Sequence, residues 1–184
     1  MFFHSLAILS SATIAIASGG VFNPPKAQSF LSIDYQVGIP FNTTTPNGVV
    51  GTVPVRGGAI KGSLFQGHVV PNLTSSVERY LPVVNDVVST SYDGRFVFEN
   101  EAGDRIFAEI IGSTVYEKDL HGFGYAKLET DAPCLRWINT AMFVAEWHGV
   151  FFRGSGTKVE IFQISTGGRL DGQPIHAIPP STDI

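Results

Sequence analysis

A strand-like segment interrupted by glycines constrains the fold of this chain most. Residues 53–71 (VPVRGGAIKGSLFQGHVVP) carry four glycines, Gly57, Gly58, Gly62 and Gly67, among Val, Ile and Phe. Glycine inside a strand marks a bulge, a bend or the close approach of another backbone. A loop-rich hairpin would account for this segment alone equally well, but a sheet that closes into a small barrel needs such bends at intervals.

The rest of the chain favours the barrel. Short β-rich segments bounded by turn residues are predicted at 29–37, 64–70, 83–90, 92–99, 105–111, 125–129, 137–144 and 158–164. No sustained helical stripe appears, and residues 74–80 (TSSVERY) could form one or two helical turns at most. Short strands at this spacing predict an all-β chain, either an antiparallel sandwich or a barrel. The 14 Phe and only 15% charged residues indicate a large apolar interior or an interior with an apolar cavity. Together with the glycine-rich segment, they lead us to expect a single antiparallel barrel with an apolar cavity.

Both ends are predicted to lie outside the barrel domain. Residues 6–17 (LAILSSATIAIA) form an uncharged apolar run too short for a bilayer span, and Ala15 and Ala17 supply a small-x-small cleavage pattern. The pattern predicts a signal peptide over 1–17, with a buried N-terminal strand as the alternative. The barrel domain is then expected over 18–164, followed by a Gly- and Pro-rich tail over 165–184.

Two sequons agree with passage through the secretory pathway. Asn42 and Asn72 each begin an N-x-[ST] triplet beside turn residues, so both are expected to carry glycans. Cys134 is the only cysteine, which excludes an internal disulfide, and it is expected to be a small buried apolar residue rather than a nucleophile.

Charge and motifs exclude several classes of function. The formal net charge is −4, without the basic footprint of a nucleic-acid binder or the basic amphipathic helix of a membrane-surface protein. The histidines lack metal-ligand spacing, and neither a phosphate loop nor a dinucleotide fingerprint is present. We therefore expect no metal and no cofactor, and small hydrophobic molecules as partners. The oligomeric state, including a homo-oligomer, stays open.

Polar residues within strands are the candidates for chemistry. Arg95 and Glu109 lie on the two strands of a hairpin predicted to turn near Ala102 and Gly103. One interpretation is an outward salt-bridge ladder on the barrel wall. The other is a charged pair inside the cavity, where low polarity would shift the pKa of the carboxyl group and prepare it for proton transfer.

A second set of candidates follows along the chain. If 137–144 is a strand, Trp137, Asn139 and Phe143 share one face and would present apolar walls and one hydrogen-bonding group to the cavity. His148 follows a tryptophan and a carboxylate where a barrel mouth is expected, and is either a catalytic or a structural histidine.

The order of several motifs is similar to that of a known family. The segments are Gly57-Gly58, Gly62, Gly67 and Pro71, then Arg95-Phe96, the 99–103 turn, Leu128-Glu129-Thr130, Trp137-Ile138-Asn139 and Phe143-Val144. Together they resemble the small lipocalin-like β-barrel family long classed as a domain of unknown function, over residues 51–164. The chain departs from that family in having Arg56 before the Gly-Gly pair, in lacking a Gly-Gly-Ala-Asp run after Pro71 and in its predicted signal peptide.

The resemblance implies a function. The secreted, sequon-bearing form looks like the fungal branch, which includes hetero-Diels-Alderases of tropolonic sesquiterpene biosynthesis. There, a hydroxymethyl tropolone loses water to give an o-quinone methide, which adds across an alkene of a humulene-type alcohol. An acid would assist the loss of water, and Arg95 or Arg56 would hold the tropolonate oxygens. A carrier of small hydrophobic molecules is the alternative, because such barrels also bind without chemistry. A secreted effector that recognises another protein is a weaker third.

Overall fold

The structure, a computed structural model, describes residues 20–149 and 156–175. The predicted signal peptide and the end of the predicted tail lie outside these residues. Within them the chain forms strands β1 to β10 and one 3-10 helix. The strands are β1 Lys26–Val37, β2 Phe41–Thr45, β3 Gly48–Lys61, β4 Gly67–Val69, β5 Ser75–Tyr80, β6 Val88–Asn100, β7 Arg105–Tyr116, β8 Leu120–Glu129, β9 Met142–Gly149 and β10 Thr157–Ser165, and the 3-10 helix is Pro133–Thr140.

The strands form one antiparallel sheet that closes on itself. Consecutive neighbours run from β1 through β10, β9, β8 and β7 to β6. The short strands β4 and β5 both lie between β6 and β3, one at each end of β3, and β3 pairs with β1 to close the ring. β2 pairs with the first half of β3. The predicted all-β antiparallel barrel is therefore confirmed.

The glycine-rich segment bends the sheet where β3 crosses from β2 to β1. Gln36 pairs with Gly57 but Val37 pairs with Val55, so Arg56 is an extra residue in a β-bulge. Gly57 and Gly58 have φ of +126° and +150°, which side chains rarely tolerate. A Cβ on Gly58 would also lie 2.5 Å from the carbonyl oxygen of Asp34. Closure of the barrel thus depends on glycine here, as the sequence indicated.

Two local predictions were wrong. Residues 75–80 form strand β5 rather than helical turns, because both edges of the segment pair with distant strands, β3 and β6. Residues 133–140 form a 3-10 helix that Pro133 begins, rather than part of a strand. Its buried residues Leu135 and Ile138 are three apart, which is the repeat of a 3-10 helix and not of a strand.

A third difference concerns the start of β6. The predicted strand 83–90 begins only at Val88, because Asn85 and Asp86 adopt positive φ and turn the chain between Val84 and Val87. Asn and Asp are the residues after glycine that tolerate this conformation best.

An aromatic cluster joins the 3-10 helix to the core. The ring of Phe30 on β1 packs edge-on against Trp137 at a centroid distance of 5.5 Å and against Phe143 at 5.2 Å. Phe143 is fully buried. These contacts fix the helix against side chains that point inward from β1 and β9.

Residues 20–25 and 166–175 belong to a separate compact unit from the barrel, 26–165. In that unit Phe22 forms a bridge with Arg169, and the Asn23 side-chain amide donates hydrogen bonds to the carbonyl oxygens of Gly167 and Arg169. No helix in the described part of the chain has the length and apolar character needed to span a bilayer.

Candidate functional site

The barrel encloses a cavity of about 410 Å³. Because successive side chains of a strand point to opposite faces of the sheet, every second side chain points toward the cavity. Its walls are mainly apolar and aromatic, and the polar side chains on them include tyrosines, Ser76, Glu78 and Asn42. Ile39, Pro40 and Asn42 line the cavity and are also exposed, so these residues mark its mouth. The volume lies within the range of small-molecule sites, roughly 300–1,000 Å³.

Aromatic rings form much of the cavity wall, and two glycines make room for them. Tyr35 and Phe96 pack edge to face at 5.2 Å, and Tyr92 and Trp147 pack at 4.8 Å. Gly122 lies opposite Trp147 on the neighbouring strand, where a Cβ would overlap the indole. A Cβ on Gly94 would lie 2.6 Å from the Tyr92 hydroxyl and 2.7 Å from the Phe96 ring. These glycines are required by side-chain packing rather than by backbone conformation.

Glu78 is the one charged residue among the cavity-lining residues that the structure describes. The hydroxyl of Thr90 donates to its Oε2 at 3.3 Å, and the hydroxyl of Tyr116 donates to the same oxygen. Burial raises the pKa of Glu78, and these two hydrogen bonds offset part of the rise. The site therefore holds a carboxyl group that retains its proton to higher pH than an exposed glutamate does.

Other polar groups lie near Glu78 in the same cavity. Ser76 precedes it by two residues on β5, so both side chains point inward, and Ser76 is almost fully buried. Burial raises the pKa of the Tyr35 and Tyr92 hydroxyls, so both remain protonated donors. The Trp147 indole Nε1 donates to the buried Thr114 hydroxyl at 3.2 Å, which fixes the ring against the wall.

The structure places Arg95 and Glu109 outside the cavity. They are direct cross-strand partners, and Arg95 Nη2 lies 2.9 Å from Glu109 Oε1. Asp93 adds a second carboxylate at 3.1 Å from Arg95 Nη1. Their strands turn Phe96, Phe98, Ala108 and Ile110 inward, so the charged side chains must point outward. The outward ladder was the correct interpretation, and the cavity pair was wrong.

The remaining sequence candidates also lie away from the cavity. Arg56 is exposed at the bulge, and His148 is exposed on the outer face of β9. Asn139 is on the 3-10 helix, where its side chain accepts a hydrogen bond from Thr130 N at 2.8 Å and donates one to Thr130 O at 2.9 Å. Trp137, on the same helix, and Phe143 belong to the aromatic cluster around Phe30. The expectation that Trp137, Asn139 and Phe143 share a strand face was wrong because the helix ends at Thr140.

Both sequon asparagines are exposed, Asn42 in β2 and Asn72 in a turn with φ of 58°. Glycosylation stays a prediction, but the two positions are not equivalent, since Asn42 lies at the cavity mouth and Asn72 does not line the cavity. Cys134 is exposed near the start of the 3-10 helix, so its expected burial was wrong.

Sequence reasoning missed Glu78, Ser76 and Tyr116. The inward positions of β5 are Ser76, Glu78 and Tyr80, whereas its one aliphatic residue, Val77, does not line the cavity. That arrangement reverses the usual alternation, in which the apolar face is the inner one. The sequence did contain a signal for Arg95: in β6, alternation puts Phe96 and Phe98 on the inner face and therefore Arg95 on the outer one.

Among the described residues, no group of three or more His, Cys, Asp or Glu side chains is placed to bind a metal ion.

This chain is similar to known proteins in its structure, not in its sequence. No family model matches the sequence, and no curated protein matches it. A conserved protein of unknown function from Rhodopseudomonas palustris superposes with a TM-score of 0.67 at 17% identity, over 78% of this chain and 99% of that one. A β-barrel-like protein from Acinetobacter baumannii gives 0.62 at 14% identity, over 78% and 98%.

An enzyme from Penicillium herquei is also similar, with a TM-score of 0.58 at 15% identity, over 80% of this chain and 99% of the enzyme. All three proteins match along almost their whole length. At these identities the similarity establishes a shared β-barrel fold, which a fungal enzyme also uses.

Proposed function

We propose that this protein is a hetero-Diels-Alderase of fungal secondary metabolism whose active site is the barrel cavity. It joins a tropolone o-quinone methide to the alkene of a humulene-type sesquiterpene alcohol. The observation that carries the proposal is Glu78, a carboxyl group with a raised pKa inside a cavity lined mainly by aromatic and apolar side chains. A fungal enzyme with the same fold supports an enzymatic role for such a barrel.

Glu78 would act in the dehydration that forms the reactive diene. Its carboxyl group gives a proton to the hydroxymethyl oxygen, the carbon–oxygen bond breaks and water leaves. The Glu78 carboxylate then accepts the proton of the neighbouring ring hydroxyl, which gives a ring carbonyl and an exocyclic double bond. Glu78 ends protonated as it began, and the net change is loss of one water. A raised pKa suits this role, because a general acid works best when its pKa is near the working pH.

Shape would govern the addition that follows. The methide carbon bonds to one alkene carbon and the ring oxygen to the other, so no proton or electron carrier takes part. Holding both reactants in one cavity supplies orientation, an effect that reaches roughly 7–11 kcal/mol in favourable cases. Trp147 is fixed by its hydrogen bond to Thr114, so it presents a rigid surface to the reactants.

The test compares Glu78→Gln with Glu109→Gln, a matched change on the outer wall. Purified proteins are incubated with a hydroxymethyl tropolone and a humulene-type alcohol, and adduct formation and stereochemistry are followed against a protein-free control. Glu78→Gln should lower the catalysed rate by about 10²- to 10⁴-fold, the usual contribution of a general acid. Glu109→Gln should leave it unchanged. An o-quinone methide generated independently should restore the stereochemistry in Glu78→Gln, since only the addition remains.

Equal rates and equal isomer ratios with and without the wild-type protein would contradict the enzyme proposal. The largely apolar cavity wall favours a second candidate, a carrier of small hydrophobic molecules. Binding of either reactant at micromolar concentration without any change in rate would support that candidate.

A further inference from the structure

The Tyr35 hydroxyl is a buried polar group with no hydrogen-bond partner among the described residues. The Tyr35 side chain lines the cavity, and the residue is only 5% exposed. Leaving a buried hydroxyl unsatisfied costs about 1–3 kcal/mol. A phenylalanine would fill the same space without that cost, so the hydroxyl itself calls for a partner that enters the cavity.

The neighbours of Tyr35 leave its hydroxyl free to donate. The Ser76 side chain is near enough to lower the pKa of both Tyr35 and Tyr92, a smaller effect than the rise due to burial, but it does not reach hydrogen-bond geometry with Tyr35. Phe96, which packs edge to face with the Tyr35 ring, offers no acceptor. The hydroxyl is therefore a neutral donor held in place by packing.

The charges of the cavity indicate which acceptor fits. No Lys, Arg or His is among the described residues that line the cavity, and Glu78 is its one carboxyl group. An anionic ligand would be desolvated without a counter-charge, which is costly. A neutral carbonyl oxygen avoids that cost and accepts a hydrogen bond from a phenol. The aromatic side chains nearby favour a flat, conjugated ring.

We propose that Tyr35 is a ligand-binding residue whose hydroxyl donates a hydrogen bond to the carbonyl oxygen of a conjugated cyclic ketone. The inference rests on the proposed function in taking the barrel cavity as the small-molecule site, and it holds whether the ligand reacts there or is only carried. The sequence led us to expect that Arg95 or Arg56 holds the oxygens of a tropolonate anion. Here the Tyr35 hydroxyl instead donates a hydrogen bond to a neutral ketone.

The test uses tropone as the probe and cycloheptatriene, the hydrocarbon with the same ring, as its control. Calorimetric titration gives the affinity of each compound for the wild-type protein and for Tyr35→Phe. Tyr35→Phe should weaken tropone binding by about three- to tenfold, the value of one hydrogen bond. The same substitution should leave cycloheptatriene binding unchanged. Tyr125→Phe, on the exposed outer wall, is the matched control and should change neither.

Two further measurements separate a ligand contact from a structural role. The thermal midpoint of Tyr35→Phe should equal or exceed that of the wild type, because the substitution removes an unsatisfied hydroxyl. The carbonyl stretching band of isotope-labelled tropone should move to lower frequency in the wild-type complex and return in Tyr35→Phe. Equal tropone affinity in the two proteins, or an equal loss of tropone and cycloheptatriene affinity in Tyr35→Phe, would overturn the proposal. Because these are binding measurements, failure here leaves the cycloaddition assay to decide the proposed reaction separately.

Discussion

The Tyr116 hydroxyl donates a hydrogen bond to Glu78 Oε2 across a strand that belongs to neither residue. Glu78 lies on β5 and Tyr116 on β7, and β6 runs between them. Thr90 of β6 donates to the same oxygen. Donors from two neighbouring strands thus meet at one carboxyl oxygen, which fixes the Glu78 side chain in the cavity. These hydrogen bonds offset part of the rise that burial gives the pKa of Glu78, so the acid role assigned to Glu78 rests on its burial.

The stability of the protein should depend on pH through Glu78. Burial raises its pKa in the folded state above the ordinary value of 4.5, so the folded protein binds this proton more readily than the unfolded chain. The stabilisation is then fully present below pH 4.5 and is lost as pH rises through the folded pKa. Denaturant unfolding at a series of pH values should show the wild-type free energy of unfolding falling relative to that of Glu78→Gln. A difference that stays constant with pH would contradict the raised pKa.

Breaking the ion pair on the outer wall should have little effect. Arg95 and Glu109 are partly exposed and their attraction is screened by water. Arg95→Ala is expected to change the free energy of unfolding by at most about 1 kcal/mol and to leave adduct yield unchanged. Unfolding curves and the cycloaddition assay check both statements. A large loss of yield with an intact fold would return Arg95 to the candidate site.

Adding one methyl group at Gly122 should damage the cavity wall. A Cβ there would overlap the Trp147 indole, which is held by Thr114 and cannot move freely. Gly122→Ala should therefore lose about 1–3 kcal/mol of stability, as overpacked cores do, and should change tryptophan fluorescence. Gly38→Ala is the control, because its Cβ would lie 2.9 Å from the Arg56 side-chain nitrogen Nε, which belongs to a flexible exposed side chain. Equal stability of both variants would argue against the packing described for Trp147.

Asn139 should matter for stability rather than for binding. Its side chain bridges the backbone N–H and carbonyl of Thr130 and so ties the 3-10 helix to the end of β8. Asn139→Ala removes both hydrogen bonds and should cost about 1–3 kcal/mol, whereas Asn139→Asp keeps the acceptor and should cost less. Thermal midpoints rank the variants, and tropone affinity should be the same in both. An Asn139→Ala protein as stable as the wild type would contradict the role given to these two hydrogen bonds.

A glycan on Asn42 should control access to the cavity. Asn42 lies at the mouth, whereas Asn72 does not line the cavity. In protein from a secretory host, Asn42→Gln and Asn72→Gln should each lower the intact mass by one glycan. Only Asn42→Gln should raise the association rate of a small apolar ligand, because only that glycan stands over the opening. An unchanged intact mass in both variants would rule out glycosylation at these sites.

Local patterns in the sequence were sufficient for several features. The bulge at Gly57 and Gly58 was predictable because positive φ and close backbone approach both require glycine. The β6–β7 hairpin was also predictable, since Gly103 has φ of +84° and its N–H donates to the Asn100 carbonyl oxygen in a tight turn. The alternation around Phe96 and Phe98 indicated that Arg95 points outward, but the register of the hairpin was also needed to decide its direction.

The 3-10 helix marks the limit of such reasoning. Trp137, Asn139 and Phe143 have strand-like spacing, but Leu135 and Ile138 have the three-residue repeat of a 3-10 helix. Both patterns are short, and packing of Trp137 against Phe30 on β1 decided between them. A contact between residues more than a hundred positions apart leaves no local signal.

By itself the sequence determined an all-β chain with glycine at the bends that let its sheet close. Only the tertiary structure decided that Glu78 and Tyr35 face the cavity. Glu78 is opposite Gly51 on one side and Tyr92 on the other, so the direction of its side chain is set by pairing with two strands distant in sequence. The burial that raises its pKa likewise comes from the closed barrel around it. Backbone preferences are local and can be read along the chain, whereas burial and the direction of a polar strand arise only when the strands have assembled.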